Sequence, residues 1–363
     1  MTNGRESPFL REHVNTAGRR RWHAGTAPGG GSTTLVLTRQ DVQRALDMVG
    51  AIAAVHKAYI AHAAGAAFTP QRTAVGVPDR QGTALFMPSY FPAASALGLK
   101  VVAVFPENTR LGLPVINGFV SLLDPETGAP AALMEAGYLT ALRTGAGSGA
   151  ATAALARPDA HVLTVLGAGV QAPFQALAVA TVRPIDTVIL YNRTRARAEK
   201  LAESLAAILP GPPRITVADT ASWAVRQADV VCTATAARAP LFAPEDIKPG
   251  THLNAIGSFT PDMQEFPPAI CTRARVYVDD VAACLAEAGE LIAAVREGHA
   301  VPSAFVPVGL VLAGQAGGRQ DASEITLFKS VGLAVQDMAV AAAVLAGARR
   351  LQLGRDIPLD TDV

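Results

Sequence analysis

The pattern of apolar and polar positions divides the chain into two regions. Between residues 72 and 123, short apolar runs alternate with turn signals, which is typical of antiparallel strands joined by short loops. The segment from Asp124 to Gly128 (DPETG) ends this region as a turn, because Pro presets φ and Gly permits a positive φ. From His161 onward, continuous apolar runs alternate with helical periodicity, which favours a parallel sheet with both faces covered.

The first region is predicted to contain a helix, a small β-rich unit and a second, long helix. Thr38 followed by Asp41 resembles a helix-capping pattern, and helical periodicity continues to about Ala64, so one helix is predicted there. The other predicted elements are strands at Leu35–Leu37, Ala84–Pro88, Leu99–Val104 and Gly118–Asp124, and an Ala/Gly-rich helix from Glu135 to about Leu155.

The second region is predicted to alternate strands with helices, which indicates a doubly wound parallel sheet. The predicted strands are Val162–Leu166, Thr187–Tyr191, Val230–Thr235, Thr251–Ile256 and Val276–Val278. The predicted helices are Val170–Thr181, Arg195–Leu209, one that contains Glu287 and Glu290, and a last one from Leu333 to about Leu351 that can return to the first region.

Composition narrows the class of protein. The 363 residues suit two domains, and half of them are hydrophobic, so a sizeable core can form. A formal charge of +1 gives no support for a nucleic-acid or membrane surface, and no run of about 18 apolar residues is present. The three cysteines have neither metal-site nor disulfide spacing, so we predict a cytoplasmic protein with reduced thiols and no bound metal.

Residues 1–33 differ from the rest of the chain. They are rich in arginine, with a run at Arg19–Arg21 followed by three glycines, and they contain no apolar stretch of a signal peptide. This composition predicts a disordered leader or a wrongly assigned start codon, and the alternatives are an organelle transit peptide and a nucleic-acid-binding tail.

A glycine-rich segment provides the strongest functional signal. Residues 167–172 (GAGVQA) follow an apolar strand and open a helix, which is the context of the dinucleotide-binding fingerprint. Gly167 suits the tight turn, Gly169 lets the backbone approach a pyrophosphate, and Ala172 lets the helix lie close to the strand. We therefore predict a nicotinamide dinucleotide site.

The end of the following strand bears on which dinucleotide binds. NAD-binding sites have an acidic residue there that holds the ribose 2′-OH, whereas this chain has Asn192, Arg193 and Thr194. A guanidinium suits a 2′-phosphate, so we predict NADP(H), with NAD(H) as a weaker cofactor.

Three cationic residues of the first region lie among apolar or small neighbours. They are Arg72, Lys100 and Arg143, and Lys100 falls in the middle of a predicted apolar strand. A lone charge in that position is costly without an anionic partner. The three can form a clamp for a carboxylate, in which Arg makes bidentate contacts and Lys acts as a point charge.

These motifs together resemble the ornithine cyclodeaminase and mu-crystallin family. The resemblance covers about Leu35 to Leu351 and rests on Leu139–Thr144 (LTALRT), Leu166–Ala172, Asn192–Thr194, Ala255–Ser258 (AIGS) and Ile325–Gly332 (ITLFKSVG). It implies an α/β fold in which a Rossmann doubly wound sheet is inserted into an α+β dimerisation and substrate domain. The expected domains are 34–145 plus 330–363 for substrate and dimerisation, and 146–329 for NADP.

The resemblance also implies roles for individual residues. Arg72, Lys100 and Arg143 match positions that bind the substrate carboxylate, and Arg143 is also expected near the cofactor. The other expected cofactor-binding residues are Thr109, Gly167, Gly169, Val170, Gln171, Asn192, Arg193, Thr194, Thr233, Thr235, Ile256, Gly257, Ser258 and Ser330.

Two departures from the family pattern bear on the reaction. Where true cyclodeaminases have an Asp two residues beyond the glycine that matches Gly257, this chain has Phe259. Where they have a Glu three residues before the proline that matches Pro88, it has Leu85. Neither Phe nor Leu can move protons, which argues against cyclodeamination.

The resulting prediction is a homodimeric, NADP-dependent reductase of a cyclic imino acid in proline metabolism. The substrate would be 1-pyrroline-2-carboxylate or its six-membered homologue, 1-piperideine-2-carboxylate, and Lys100 is the candidate catalytic residue that holds or delivers a proton. The alternatives are an amino-acid dehydrogenase such as alanine dehydrogenase, an ornithine cyclodeaminase, and a mu-crystallin-like protein that binds NADPH without turnover.

Overall fold

A computed structural model of the protein describes residues 25–26 and 32–359. The chain forms two compact units: unit 1 extends to Arg143 and resumes at Leu333, and unit 2 is Thr144–Gly332. Apart from residues 25–26 and 32–33, the predicted leader lies outside the described residues.

Strands and helices are numbered along the chain. The strands are β1 (Gly25–Thr26), β2 (Ser32–Leu37), β3 (Thr73–Val77), β4 (Gly82–Phe91), β5 (Ala96–Val104), β6 (Ile116–Leu123), β7 (Pro130–Glu135), β8 (Val162–Leu166), β9 (Thr187–Tyr191), β10 (Arg214–Val217), β11 (Val230–Thr233), β12 (His252–Ala255), β13 (Ala274–Val278), β14 (Val306–Pro307), β15 (Ile325–Lys329) and β16 (Arg355–Pro358).

The α-helices are α1 (Arg39–Ala45), α2 (Met48–Ala63), α3 (Ala136–Leu155), α4 (Ala172–Val182), α5 (Arg195–Ile208), α6 (Ala221–Gln227), α7 (Val281–Glu287), α8 (Gly289–Arg296), α9 (Val308–Leu312) and α10 (Ala334–Leu351). Short 3₁₀ helices, each starting at a proline whose fixed φ suits a first helical position, are Pro78–Arg80, Pro92–Ala94, Pro106–Leu111, Pro244–Asp246, Pro268–Thr272 and Pro302–Ala304. No helix within the described residues has the length and apolar character needed to cross a membrane.

Unit 1 is built on a mixed sheet of order β1-β2-β7-β6-β5-β4-β3, with β16 also paired to β2. Side chains along its strands alternate between two faces, and directly paired residues share a face. One face carries Met87, Lys100, Val120 and Met134 in a single row of the register, and all four are buried. Helix α10 packs against β4, β5 and β6 and against α1 and α2, so its residues cover this face.

Unit 2 is built on a parallel sheet of order β10-β9-β8-β11-β12-β15-β13-β14. Val230 and Cys232 belong to one buried apolar cluster, whereas Val231, between them on the same strand, belongs to another. Because successive side chains point to opposite faces, both faces of the sheet are buried. The α/β fold predicted from the continuous apolar strands is therefore confirmed.

Two predicted helices are each divided in two. The helix predicted from Thr38 to Ala64 breaks at Leu46, whose backbone is extended, because the Asp47 side chain accepts a hydrogen bond from Gly50 N and caps a new helix. The helix predicted around Glu287 and Glu290 breaks at Ala288, so these residues lie on α7 and α8 respectively.

The pattern did not predict strands β3, β7, β10 and β15, nor the short strands β1, β14 and β16. Four of the five residues of β3 are exposed, so it lacks the alternation that marks a strand. Strand β7 leads directly into α3, and Glu135 ends the strand rather than beginning the helix, contrary to the prediction. Its carboxylate accepts hydrogen bonds from Gly137 N and Tyr138 N and satisfies the first turn of α3.

Candidate active site

The glycine-rich loop after β8 makes a turn that requires glycine at its first position. Gly167 has φ +110°, and a Cβ added there would lie 2.4 Å from the carbonyl oxygen of Ala234. A side chain is excluded by both the backbone conformation and the close approach of this neighbouring loop. The predicted role of Gly167 in a tight turn therefore has a physical basis in the structure.

The same loop leaves the start of a helix open. Gly169 and Val170 are exposed, and a Cβ on Gly169 would meet nothing within 4 Å. Within the described residues, no side chain caps the N-terminus of α4, and Gln171 Oε1 is buried there without a hydrogen-bond partner. An uncapped helix N-terminus beside an exposed glycine is the arrangement that receives phosphate groups, so the residues present fit a dinucleotide.

Of the residues after β9, Asn192 holds the glycine-rich loop, whereas Arg193 is exposed to solvent. Asn192 Oδ1 accepts from Ala168 N at 3.2 Å, and Asn192 Nδ2 donates to the carbonyl of Thr194 at 2.9 Å. Arg195 forms ion pairs with Glu199 and Asp219, whereas Arg193 is an exposed residue just before α5. Asn192 thus connects the two loops, and the next residue, Arg193, is an exposed positive charge.

A buried carboxylate, Glu265, organises the loops that follow β11 and β12. It accepts hydrogen bonds from Thr233 Oγ1 at 2.8 Å, Thr235 N at 2.6 Å and Thr235 Oγ1 at 2.9 Å. It also accepts from Gly257 N at 2.7 Å and Ser258 N at 3.2 Å. The predicted residues Thr233, Thr235, Gly257 and Ser258 are thus brought together by a residue that the sequence analysis did not identify.

Further buried charges adjoin Glu265. Ser258 Oγ donates to the Glu290 carboxylate at 2.6 Å, and Glu265 N donates to Glu290 Oε1 at 3.0 Å. Lys329 Nζ donates to the carbonyl of Ser258 at 2.7 Å and also contacts Ser258 Oγ. Burial raises the pKa of the Glu265 carboxyl, an effect opposed by the positive charge of Lys329.

Ser330 lies beyond this cluster, at the end of β15. Its hydroxyl donates to Asp279 Oδ2 at 2.7 Å, and the same oxygen accepts from Val331 N and Gly332 N. Ile256, also predicted near the cofactor, is buried, whereas Phe259 is 42% exposed.

In unit 1, two of the predicted clamp residues meet at a third residue. Asp337 on α10 forms ion pairs with Lys100 Nζ at 2.8 Å and with Arg143 Nε at 2.9 Å. All three are buried, although Lys100 lies on β5 and Arg143 on α3. Gln336 Oε1 accepts from Arg143 Nη1 at 3.4 Å, and its Nε2 donates to Tyr59 Oη at 2.8 Å, which fixes the neighbouring side chain.

The surroundings of Lys100 lower its basicity. Burial, followed by the positive charge of Arg143, lowers the pKa of Lys100 from 10.5 to about 7, while Asp337 opposes the change. The charge of Arg72 also lowers this pKa. Arg72 directly precedes β3, and continuing the β3–β4 register places it in the row of Met87 and Lys100. The structure therefore brings the three predicted cations together in unit 1.

Two other residues of unit 1 were singled out from the sequence. Leu85 pairs with Val102 and lies two residues from Met87, so it shares the sheet face of Lys100. Thr109 is exposed on the 3₁₀ helix Pro106–Leu111, and its hydroxyl donates to the carbonyl of Pro106 at 3.0 Å.

Asp337 and Gln336 were missed by the sequence analysis. They are adjacent polar residues in α10, whose other buried positions are apolar or glycine. A pair of polar residues on a helix with little other polar character is a signal that could have identified them, since such groups need partners when buried.

The three cysteines are buried or half-buried. Cys232, Cys271 and Cys284 are free thiols, and burial raises the pKa of Cys232 and Cys271 to about 12, which makes these thiols poor nucleophiles. In the part of the chain that the structure describes, no group of three His, Cys, Asp or Glu residues could hold a metal ion.

The fold and these residues define a class of protein: an α/β protein with a Rossmann-type sheet whose glycine-rich loop fits a dinucleotide, and with a second unit that buries a group of cations. Residues 32–350 match the ornithine cyclodeaminase/mu-crystallin family over most of the chain, so this protein belongs to that family. The family predicted from the sequence motifs is therefore confirmed.

Similar proteins include reductases and a dehydrogenase. A Delta(1)-pyrroline-2-carboxylate reductase of Bacillus cereus is 43% identical over 85% of this chain and 94% of its own length. The structure of the Thermococcus litoralis Delta(1)-pyrroline-2-carboxylate reductase with NADH and L-proline matches 89% of this chain and 100% of its own, with TM-score 0.86 and 37% identity. An archaeal alanine dehydrogenase dimer with bound NAD matches 90% of this chain and 100% of its own, with TM-score 0.84 and 35% identity.

Proposed function

We propose that the protein reduces a cyclic imino acid, 1-pyrroline-2-carboxylate or 1-piperideine-2-carboxylate, to the cyclic amino acid with NADPH. The observation that carries this proposal is the buried group of Lys100, Arg143 and Asp337, joined by the charge of Arg72. Lys100 and Arg143 share the single carboxylate of Asp337, so a second anion bound beside them would balance their charges. The named activities of the similar reductases support an imino-acid carboxylate as that anion.

In this proposal, the substrate carboxylate binds to Arg72, Lys100 and Arg143. Asp337 keeps the Lys100 and Arg143 side chains side by side, which reduces the entropy lost when the substrate binds. Nearby cations disfavour the protonated, more electrophilic carbon–nitrogen double bond unless their charge is balanced. The carboxylates of the substrate and of Asp337 supply that balance.

Lys100 is the proposed proton donor. When bound, the cofactor supplies the hydride that adds to the carbon of the C=N bond. A pKa of about 7 lets the Lys100 ammonium both hold positive charge and release a proton near neutral pH. The nitrogen of the substrate gains that proton, directly or through an exchangeable water.

We propose that NADPH is preferred over NADH and that residues 167–172 receive its pyrophosphate. Arg193 faces the 2′-phosphate in this assignment, with no Asp or Glu among residues 192–194 to accept from a free ribose hydroxyl. A charge-assisted contact of about 1.5–3 kcal/mol corresponds to roughly 10- to 150-fold in affinity.

Titration with NADPH and NADH, followed by nicotinamide fluorescence, tests this preference. NADPH should bind more tightly, and Asn192→Asp combined with Arg193→Ala should remove or reverse the difference, because an anion repels the phosphate. Arg226→Ala, which alters an exposed arginine on α6, serves as the control. Equal dissociation constants in the wild type would refute the assignment and would fit stacking of Arg193 on the adenine.

We further propose the domain roles and a homodimer. Residues 34–145 with 330–363 bind substrate and a second copy, and residues 146–329 bind the cofactor, in a protein that works in the cytoplasm.

The sheet face of unit 1 opposite Lys100 carries Phe86, Phe119 and Leu133, all more than one-third exposed. A contiguous exposed apolar face is typical of a protein interface. Phe119→Asp should therefore halve the molar mass measured by light scattering.

An amino-acid dehydrogenase is the second candidate function. The archaeal alanine dehydrogenase favours it, since the same cations could hold the carboxylate of an open-chain keto acid. Cyclodeamination is disfavoured by Phe259 and Leu85, which cannot move protons.

A panel of substrates separates these functions. NADPH oxidation should be fastest with the five- or six-membered imino acid, slower with pyruvate plus ammonia, and ornithine with NAD should release no ammonia above background. Faster turnover of pyruvate plus ammonia would make the protein a dehydrogenase. Clear conversion of ornithine to proline would overturn the exclusion of cyclodeamination, and binding of NADPH without any turnover would indicate the mu-crystallin-like alternative.

A further inference from the structure

We propose that Glu265 is a positioning residue that holds the loops after β11 and β12 in the conformation that the nicotinamide part of the cofactor requires. The inference rests on the proposed function for the cofactor. It goes beyond that function because it assigns a role to Glu265, a buried carboxylate whose hydrogen-bond donors belong to these loops.

The donors to the Glu265 carboxylate come from the ends of two neighbouring strands and the loops after them. Thr233 ends β11 and Thr235 follows it, Gly257 and Ser258 follow β12, and together they give the carboxylate five hydrogen bonds at 2.6–3.2 Å. These strands are neighbours in a parallel sheet, so their carboxyl ends lie at the same edge, where ligands of such sheets bind. Only an ionised carboxylate offers acceptors on both oxygens for so many donors.

The contact between the loops and the carboxylate is too close for a side chain. A Cβ on Gly257 would lie 2.3 Å from the carbonyl oxygen of Thr235 and 2.4 Å from Glu265 Oε1. The Gly257 backbone is therefore packed directly against both the other loop and the anchoring residue. A shift of Glu265 would be passed to both loops, because nothing compressible separates them.

A third strand end is connected to the same anchor. Lys329, the last residue of β15, donates to Ser258, and Glu290 accepts from both Ser258 Oγ and Glu265 N. Glu265, Glu290 and Lys329 are fully buried. Glu265 acts through the backbone segments that it holds, so its effect on catalysis must appear as misplacement of those segments.

The matched control is a second buried carboxylate on the other end of the same strand. Asp229 directly precedes β11 and accepts from His161 N and Val162 N, each at 3.1 Å, with ion pairs to Arg157 and Lys248. It has the same chemistry as Glu265 but lies at the amino ends of the strands. Asp229→Asn therefore tests whether loss of any buried carboxylate has the same effect.

The experiment compares Glu265→Gln, Glu265→Asp and Asp229→Asn. A glutamine places an N–H₂ group against backbone N–H donors, whereas an aspartate keeps two acceptors on a shorter side chain. For each variant, kcat, KM, the affinity for NADPH and the affinity for 2′,5′-ADP are measured. The probe 2′,5′-ADP carries the adenosine and 2′-phosphate without nicotinamide.

We expect Glu265→Gln to lower kcat by roughly 100-fold, the effect of a misplacement of about 1 Å. It should also weaken the fluorescence of bound NADPH, while the affinity for 2′,5′-ADP stays within about threefold, since Arg193 and α4 are unaffected. Glu265→Asp should recover part of the lost kcat, and Asp229→Asn should keep kcat within about threefold.

Two results would overturn the inference: an unchanged kcat in Glu265→Gln, or an equal loss of 2′,5′-ADP affinity and kcat in that variant. If Glu265→Gln does not fold, Thr233→Val removes a single donor to the carboxylate, and unchanged kcat in that variant would overturn the inference instead. Failure of the wild-type protein to bind NADPH or 2′,5′-ADP would refute the proposed function and the inference with it.

Discussion

Each unit buries a cluster of charged side chains, and the two clusters are balanced in opposite ways. In unit 1, the single carboxylate of Asp337 faces Lys100 and Arg143, with the charge of Arg72 close enough to affect Lys100. In unit 2, two carboxylates, Glu265 and Glu290, face the single ammonium group of Lys329.

The two imbalances are resolved differently. The surplus negative charge in unit 2 is satisfied by backbone N–H groups and hydroxyls of the protein itself, so the cluster is complete without a ligand. In unit 1, the ion pairs among the described residues give Lys100 and Arg143 one shared carboxylate, Asp337, so a positive surplus remains there. The comparison teaches that a buried ionic cluster stabilises a fold when its charges are met internally and indicates a binding site when they are not.

Replacing the lysine of each cluster should give the largest effects and distinguish the binding role of the unit 1 cluster from the stabilising role of the unit 2 cluster. Lys100→Met should lower kcat/KM by at least about 100-fold, since a charge and a proton donor are lost, while Asp337 remains paired with Arg143. Lys329→Met should instead lower the free energy of unfolding by about 3–5 kcal/mol, because Glu265 and Glu290 lose their cation. Steady-state NADPH oxidation and denaturant unfolding measure the two effects. If both variants lose stability and activity in the same proportion, the two clusters do not have these different roles.

The pH dependence should be dominated by the unit 1 cluster. With a pKa of about 7 for Lys100, kcat/KM for reduction should be constant below pH 7 and fall about tenfold per pH unit above it, as the ammonium is lost. The unfolded lysine keeps its proton up to about pH 10.5, so this group makes the unfolding free energy rise with pH between about 7 and 10.5. If kcat/KM does not begin to fall near pH 7, Lys100 is not the proton donor.

Removing either arginine of the clamp should have a smaller effect on substrate binding. Arg72→Ala or Arg143→Ala should raise KM for the imino acid by roughly 10-fold or more, because a charged hydrogen bond contributes about 1.5–3 kcal/mol. NADPH affinity should change less in Arg72→Ala than in Arg143→Ala. Arg44→Ala, an exposed change on α1, is the control, and unchanged kinetics in both clamp variants would refute the carboxylate site.

Neutralising Asp337 should give the smallest of these effects on the rate, a shift in the pH dependence of kcat/KM. Asp337 raises the pKa of Lys100 against burial and the arginines, so Asp337→Asn should move the limb of the pH profile below pH 7. Asp47→Asn, which keeps a helix-capping oxygen, should leave the limb in place. A limb that stays at the same pH in Asp337→Asn would show that another group titrates there.

Much of the fold followed from local patterns. Strands β8 and β9 have the predicted bounds, since their continuous apolar runs occur where both faces of a sheet are covered. Breaks within helices were harder to predict, because Asp47 and Ala288 interrupt segments whose periodicity continues across them. Strand β3 was not predicted because most of its side chains are exposed, so it lacks an apolar pattern, and because its strand conformation depends on pairing with β4.

Some features of the candidate site likewise follow from adjacent residues, whereas others depend on contacts between residues far apart in the chain. The sequence by itself predicted the glycine-rich turn, because the positive φ at Gly167 and the start of α4 are favoured by residues adjacent in the chain. It also singled out Lys100 as an unusual charge in an apolar strand. Only the tertiary structure decided that Asp337, more than 190 residues from Arg143, is the partner of two cations, and that Glu265 anchors loops that begin at Thr233. Burial and ionic pairing depend on which segments pack together, and residue spacing along the chain carries no direct record of that packing.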